Sequence, residues 1–364
     1  MNAIMRKSRP SPGDLKAIIL VGGLGTRLRP LTDICPKPMV PVLNRPFLEY
    51  SLAHLKQYGI EDVILAMSYL PDSIREYFGN GERCGVKLTY CLEKEPLGTA
   101  GAVKNAAAYL DRPFIVLNGD DVFIEMDLQE AYNFHHTSRA MATIFLTWVE
   151  NPDAFGVVET DINQQVRRFI EKPPHDTASS QWINAGGYIL EPAILKHIPP
   201  GQFYMFEKGL FPHLLNIGAP IYGYEYRGYW LDTGTPEKYF SLNADFLFSR
   251  VRNPLISGTM QGGINMGEDT DIHASAVIIP PVVIGRGCRI GKNVNIKGPV
   301  VIGNGCIMEA GCSLERAILW DNTRVKANTN INRCIISGNI TIEKGRPTEG
   351  QVITPSRTAP LAIP

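Results

Sequence analysis

The stretch Leu20-Val-Gly-Gly-Leu-Gly-Thr-Arg-Leu-Arg-Pro-Leu-Thr32, followed by Lys37-Pro38-Met39, gathers glycines and cations directly behind an apolar run. Glycines there let backbone N–H groups approach a polyphosphate, and Arg27, Arg29 and Lys37 supply opposing charge. Neither common phosphate loop fits: no Gly-Lys-Ser/Thr follows, and Leu28 stands where a dinucleotide fold places its third glycine. An ordinary strand-to-loop turn would not need three cations and two prolines. Carboxylates recur in similar settings. Asp120 and Asp121 close the run Phe114-Ile-Val-Leu117, and Asp232 follows Trp230-Leu231. Adjacent strand residues point to opposite sides, so only one of Asp120 and Asp121 readily faces a ligand. Asp120 and Asp232, with phosphate oxygens and waters, suit octahedral Mg²⁺, although either could serve as a turn or capping aspartate. The run Arg167-Arg168-x-x-Glu171-Lys172 reads alone as a solvated face. None of the seven histidines falls in these segments. His135-His136 cannot both face one metal and read as surface, and His273 as a solvent-facing corner residue.

Most of these residues follow apolar runs, and the runs alternate with helical patterns from Lys16 to about Arg250. Ala17–Val21, Val63–Met67 and Phe114–Leu117 are of strand type, while Phe47–Tyr58 and Thr99–Leu110 have helical spacing. Such alternation predicts an α/β fold, a mixed, mostly parallel sheet with helices on both faces. Ligands in such sheets sit beyond the carboxyl ends of the strands.

After residue 263 the period becomes six. Ile272, Ile278, Ile284, Ile290, Ile296, Ile302, Met308, Leu314 and Trp320 fall on it, and Val325 and Ile331 resume it after a one-residue slip. This is the spacing of a left-handed parallel β-helix of hexapeptide repeats, whose recurrent apolar residue fills the prism. Cys288, Cys306 and Cys312 then become small core side chains, and Gly285, Gly291 and Gly303 sit where tight corners are expected. The division expected is a basic tail over 1–14, an α/β domain over 15–249, a linker over 250–262, the β-helix over 263–346 and a coil-like C-terminal tail over 347–364. The β-helix is expected to serve assembly, with a second copy of the chain covering its exposed edges.

Thirty-six basic residues balance thirty-six acidic ones in 364 residues, so no net field draws the chain to nucleic acid or an anionic membrane. No apolar run approaches the ~20 residues of a membrane span. Seven cysteines without a C-x-x-C indicate neither a disulfide framework nor a zinc knuckle. A cytoplasmic protein is the expectation.

The Gly22–Thr32 segment with Lys37-Pro38-Met39 resembles the signature of the sugar-1-phosphate nucleotidyltransferases. Four more segments match in order: Glu95-Pro-Leu-Gly-Thr-Ala-Gly101; Leu117-Asn-Gly-Asp120; Phe169-Ile-Glu-Lys-Pro173 with Asn184-Ala-Gly-Gly187; and Trp230-Leu-Asp-Thr-Gly234. The resemblance implies attack by a sugar-1-phosphate oxygen on the α-phosphorus of a nucleoside triphosphate, with Mg²⁺ bound by Asp120 and Asp232. It further implies catalytic roles for Arg27, Lys37, Asp120, Lys172 and Asp232. Nucleotide contacts fall to Leu20, Gly22, Gly23, Gly25, Thr26, Gly98 and Thr99, and sugar-phosphate contacts to Gly156, Glu171, Lys172 and Asn184. The Gly98–Gly101 loop is expected to offer backbone groups to a nucleobase. Within the family, this loop together with the β-helix points to guanylyl transfer onto mannose-1-phosphate. Uridylyl or thymidylyl transfer onto glucose-1-phosphate, and a non-catalytic nucleotide-sugar sensor, are the alternatives.

Overall fold

The computed structural model describes residues 11–68, 71–175, 177–255, 263–346 and 348–363. Most of the expected basic tail and much of the expected linker lie outside them. The chain forms two compact units that do not follow its linear order: Met1–Gly23 with Ser51–Trp230, and Leu24–Tyr50 with Leu231–Pro364.

The first unit is built on a nine-stranded sheet. Its strands are β1 (Lys16–Leu20), β2 (Asp62–Met67), β3 (Lys87–Leu92), β4 (Phe114–Asn118), β5 (Ala142–Trp148), β6 (Gly156–Thr160), β7 (Val166–Glu171), β8 (Trp182–Leu190) and β9 (Ile221–Tyr226). β1 pairs in parallel with β2 and β4, whereas β8 runs antiparallel to β4, β5 and β6. Parallel strands covered on both faces read as continuous apolar runs, and Ala17, Ile18 and Ile19 are fully buried. The parallel register Leu20↔Asn118 sets the carboxyl ends of β1 and β4 side by side. The predicted helix from Thr99 to Leu110 is an α-helix over Gly98–Asn105 that tightens into a 3₁₀ turn over Ala107–Tyr109.

The second unit contains the expected parallel β-helix. Ile272, Ile290 and Met308 stack in register, and Met308 then pairs with Val325. Coil-to-coil hydrogen bonds accordingly join residues 18 apart early on, such as Asn293 to Ser275, and 17 apart later, such as Asn322 to Asn339. That shortening is the one-residue slip. Cys288, Cys306, Cys312 and Cys334 are buried in this core as free thiols. Gly285 and Gly303 serve close packing instead of corners: a Cβ on Gly285 would lie 2.6 Å from backbone atoms of Gly303 and Asn304. Positive-φ corner residues include Gly287, Gly305 and Gly311 and also Asn293, Asn322 and Asn328.

The expected C-terminal coil is a correction. Glu349–Ile353 continues the parallel sheet beside Asn330–Ile336, and Thr358–Pro360 returns antiparallel to it. Two consecutive buried apolar residues, Val352 and Ile353, suffice because the preceding coil supplies a ready edge. The α/β segment was also expected to end at 249 as one body. Instead, helix Pro236–Leu247 and the hairpin at Pro41–Pro46 pack on the β-helix: Trp320 Nε1–H donates to the Tyr239 hydroxyl at 3.1 Å, Tyr239 donates to the Pro41 carbonyl, and Asn44 Nδ2 donates to the Ile302 carbonyl at 2.8 Å.

Candidate active site

In the first unit, the loop after β1 is pinned from both sides. Ser68, following β2, donates its hydroxyl to the Gly22 carbonyl at 2.7 Å, and the Gly119 N–H donates to the Leu20 carbonyl at 3.0 Å. A side chain at Gly22 would strike Ser68 Oγ at 2.7 Å, and one at Gly119 the Leu20 carbonyl oxygen at 2.7 Å. Gly23 differs: its Cβ would meet nothing within 4 Å. Internal packing therefore does not require glycine there, which leaves room for close approach by a ligand. Asp120 follows directly, half-buried. Asp121 is turned inward, 8% exposed, and accepts from Asn118 Nδ2 at 3.0 Å. A Cβ on Gly186 would fall 2.0 Å from Asp121 Oδ2, so that glycine of the Asn184–Gly187 segment makes room for Asp121.

The sugar-phosphate residues gather nearby on the sheet. Glu171 at the end of β7 pairs with Gly156 at the start of β6, and a Cβ on Gly156 would lie 2.9 Å from Glu171 Oε2. Lys172 adopts φ +50, and its N–H donates to the Phe155 carbonyl at 3.0 Å, turning its side chain out of the strand alternation. Its neighbours Arg167 and Arg168 make exposed pairs with Asp161 and Glu159, as a solvated face would. Asn184 braces an irregularity in the β5–β8 pairing, donating to the Tyr188 hydroxyl at 2.8 Å and accepting from the Gly186 N–H at 3.1 Å.

The nucleobase expectation at Gly98–Gly101 needs correction in its detail. The Ala100 and Gly101 N–H groups both donate to the Tyr204 carbonyl, at 3.0 and 2.9 Å, and a Cβ on Gly101 would lie 2.8 Å from the Gln202 carbonyl. These glycines admit the Gln202–Tyr204 backbone, so Gly101 offers no donor to a base. Thr99 is likewise engaged: its hydroxyl accepts from the Phe206 N–H at 2.9 Å and donates to Glu207 Oε2 at 3.2 Å.

In the second unit, Gly25 takes φ +61, and a Cβ there would press within 2.9 Å of Thr32. Thr32 donates its hydroxyl to the Gly25 carbonyl at 2.8 Å, closing the turn that carries Thr26 and Arg27. Arg27 grips Asp232 with both guanidinium nitrogens, at 3.0 and 3.4 Å, and Lys238 Nζ joins at 3.3 Å. Gly234 permits this, because a Cβ there would meet Arg27 Cζ at 2.7 Å. Burial would raise the Asp232 pKa, but the charges of Lys238, Arg27 and Lys37 outweigh it and hold the carboxyl below its usual value. An ionised aspartate, 7% exposed and ringed by cations, fits a hard divalent metal carrying phosphate. Among the described residues no group of three or more His, Cys, Asp or Glu is placed to hold a metal, so phosphate oxygens and water would have to supply the other ligands.

The expected site residues thus divide between the two units: Leu20, Gly22, Gly23, Gly98, Thr99, Asp120, Gly156, Glu171, Lys172 and Asn184 in the first, and Gly25, Thr26, Arg27, Lys37 and Asp232 in the second. Two residues escaped sequence reasoning. Lys238 lies one turn into a helix capped by Thr235, where it looks like a surface lysine. Glu207 sits in a π-helical turn, Phe206–Leu210, and the Glu207-Lys208 pair reads as solvated charge. His135 is a correction too: it is 1% exposed, with Nδ1 2.8 Å from Thr143 Oγ1, because it lies on the buried side of helix Leu128–Thr137 while His136 faces solvent. His273 is exposed, with its ring nitrogen Nδ1 2.9 Å from Ser275 Oγ and its backbone N–H donating to the Ile290 carbonyl.

The nucleotidyl transferase family model matches residues 16–248, and a bacterial transferase hexapeptide model (six repeats) matches residues 281–316. The chain belongs to the nucleotidyl transferase family. Mannose-1-phosphate guanylyltransferase of Mycobacterium tuberculosis is 38% identical over 82% of this chain and 83% of its own length. UTP–glucose-1-phosphate uridylyltransferase of Synechocystis is 34% identical over 91% and 89%. Among solved structures, HddC of Yersinia pseudotuberculosis in complex with GMP-PN is 30% identical, with a TM-score of 0.55, over 64% of this chain and 99% of that one. The family assignment thus rests on both sequence and fold.

Proposed function

We propose that the protein transfers a nucleotidyl group from a nucleoside triphosphate to a hexose-1-phosphate, with GTP and mannose-1-phosphate as the preferred pair. A phosphate oxygen of the sugar attacks the α-phosphorus, the bond from the α-phosphorus to the bridging oxygen breaks, and pyrophosphate leaves. The nucleophile is already ionised at pH 7, so the reaction needs positioning and charge neutralisation and no general base. The observation that carries this reading is Asp232, buried, ionised and surrounded by Arg27, Lys37 and Lys238. Arg27 and Lys37 take triphosphate oxygens, the Leu20–Gly23 backbone lies along the phosphates at the open Gly23, and Lys172 holds the sugar phosphate. Its ammonium makes no hydrogen bond or ion pair among the described residues, which suits a waiting phosphate contact. Bound through Asp120 and Asp232, Mg²⁺ would add positive charge to the polyphosphate.

The guanylyl preference is supported by the mycobacterial relative and by the GMP-PN complex of the structural neighbour. The cyanobacterial uridylyltransferase, similar over still more of the chain, favours UTP and glucose-1-phosphate as the second reading. A regulatory sensor without catalysis is disfavoured by the retention of Arg27, Lys37, Asp120, Lys172 and Asp232. Four nucleoside triphosphates assayed against several hexose-1-phosphates, with pyrophosphate release as readout, test the proposal. Fastest release with GTP and mannose-1-phosphate supports it, a faster pyrimidine pair replaces the substrate, and no release with any pair removes the enzyme reading.

A further inference from the structure

Glu207 is held where a surface glutamate would not be. Phe206, which precedes it, is fully buried and stacks on Phe211 at 5.4 Å, so the π-helical turn is anchored in the core. Such turns recur at functional sites. The carboxyl is half-buried and accepts from the Thr99 hydroxyl at 3.2 Å and from the Tyr188 hydroxyl. Tyr188, itself fully buried, receives the Asn184 amide at 2.8 Å. One continuous network therefore runs Asn184–Tyr188–Glu207–Thr99, joining a residue expected near the sugar to one expected near the nucleotide. Glu207 forms no salt bridge among the described residues. The charged group acting on it is a second carboxylate, Glu171; burial first, and then that like charge, raise the Glu207 pKa. Glu171 likewise forms no salt bridge among the described residues.

Two half-buried carboxylates of like charge, with no salt bridge among the described residues, keep acceptor capacity that the Thr99 and Tyr188 hydroxyls only partly fill, and a ligand can bring further donors to them. The acceptor-rich pair suits a ligand rich in hydroxyl protons, and Gly156 carries no side chain because a Cβ there would strike the Phe169 ring at 2.8 Å and the Glu171 carboxylate at 2.9 Å. We infer that Glu207 is a specificity-determining residue that, together with Glu171, accepts hydrogen bonds from hydroxyls of the hexose. The inference rests on the proposed function and assigns the hexose-reading role to a residue that the motif segments leave out. A hexose whose hydroxyl points away leaves a carboxylate oxygen buried and unpaired, and such mismatches discriminate epimers.

The test uses the full chain and compares wild type, Glu207→Gln and Glu207→Asp with mannose-1-phosphate, glucose-1-phosphate and the four monodeoxy mannose-1-phosphates. Glu207→Gln keeps the shape but turns one acceptor into a donor. It should raise the KM for mannose-1-phosphate ~10- to 100-fold while leaving that for GTP within about twofold. Glu207→Asp should fall in between. At least one deoxy analogue should cost wild type about tenfold or more in kcat/KM and cost Glu207→Gln little, which a merely structural glutamate would not produce. The deoxy series on wild type remains informative if Glu207→Gln does not fold, because Glu207→Asp then serves as the comparison. Equal rises in both KM values, unchanged sugar KM, or a deoxy penalty identical in wild type and variant would overturn the inference while leaving the nucleotidyl transfer intact. Tight binding of a divalent cation that is lost in Glu207→Gln would show the pair to be a metal site and also overturn it. Absence of turnover in wild type with every pair would instead remove the proposed function, and this inference with it.

Discussion

Asp232 is the residue on which most of the electrostatics converge, because Arg27 and Lys238 both bind it and Lys37 acts on it. Asp232→Asn removes the charge those three cations share, and should lower kcat ~10²–10³-fold while the fold persists, as loss of one charge-assisted contact in a transition state does. Asp120→Asn should cost a similar factor. Turnover near wild type in either variant, at saturating Mg²⁺, would remove that residue from the polyphosphate site. Lys172→Ala should raise the KM for sugar-1-phosphate far more than for the triphosphate, with Lys172→Arg a partial rescue because a guanidinium does not match a point charge. Equal damage to both substrates would mean the lysine serves the other phosphate. Residue identity and family position single out Arg27, Asp120, Lys172 and Asp232 in the sequence as candidates. Their partnerships are not legible there: the Arg27–Asp232 pair joins residues 205 apart, and no local pattern announces it. Glu207 and Lys238 were missed for the same reason, since a charged residue acquires its role from what the fold sets beside it.

At the scale of elements, periodicity carried the most information. A six-residue apolar repeat has few structural solutions, and the β-helix core follows it down to the slip between Trp320 and Val325. Glycines were read less well. Those at 98 and 101 looked like exposed backbone for a base, but they admit the Gln202–Tyr204 segment. Gly101→Ala should therefore destabilise the fold and leave GTP selectivity unchanged, as checked by thermal unfolding beside nucleotide competition. Helix Phe47–Gln57 carries a second element-scale prediction. His54 on it is 2% exposed, and burial lowers its pKa from 6.5 to about 4, against an opposing contribution from Asp127. The unfolded chain takes up this proton below pH 6.5 while the folded chain resists until about 4. Within that window the unfolded state binds more protons, so stability falls as pH falls. The loss through this one group is about 3 kcal/mol at ~1.4 kcal/mol per pH unit. Urea unfolding of wild type and His54→Leu should give stability curves that run parallel above pH 7 and converge or cross towards pH 4. Parallel curves throughout would show that His54 is not buried as a neutral ring.

For the whole molecule, the compact units cut across the expected linear division at residue 249. The β-helix is expected to serve assembly, with its removal changing oligomeric state or solubility before it abolishes chemistry. The second unit also joins it to Leu24–Tyr50 and to helix Pro236–Leu247, where Tyr239 is 1% exposed and bonded to Trp320. Truncation after Arg250 should therefore cost solubility and activity together, and Trp320→Ala should destabilise by about 3–5 kcal/mol, as loss of a large buried aromatic does. A soluble truncated chain with full turnover would contradict this. Sequence patterns describe neighbours along the chain, and a unit assembled from distant segments lies beyond them. The central claim concerns one reaction, and one mixture tests it most directly. The full chain, Mg²⁺ and mannose-1-phosphate are incubated with GTP, ATP, UTP and dTTP at equal concentration, and the nucleotide sugars formed are resolved by mass. GDP-mannose with stoichiometric pyrophosphate is the predicted result; a pyrimidine-linked sugar as the main product would contradict the substrate assignment, and no nucleotide sugar of any kind would contradict the account itself.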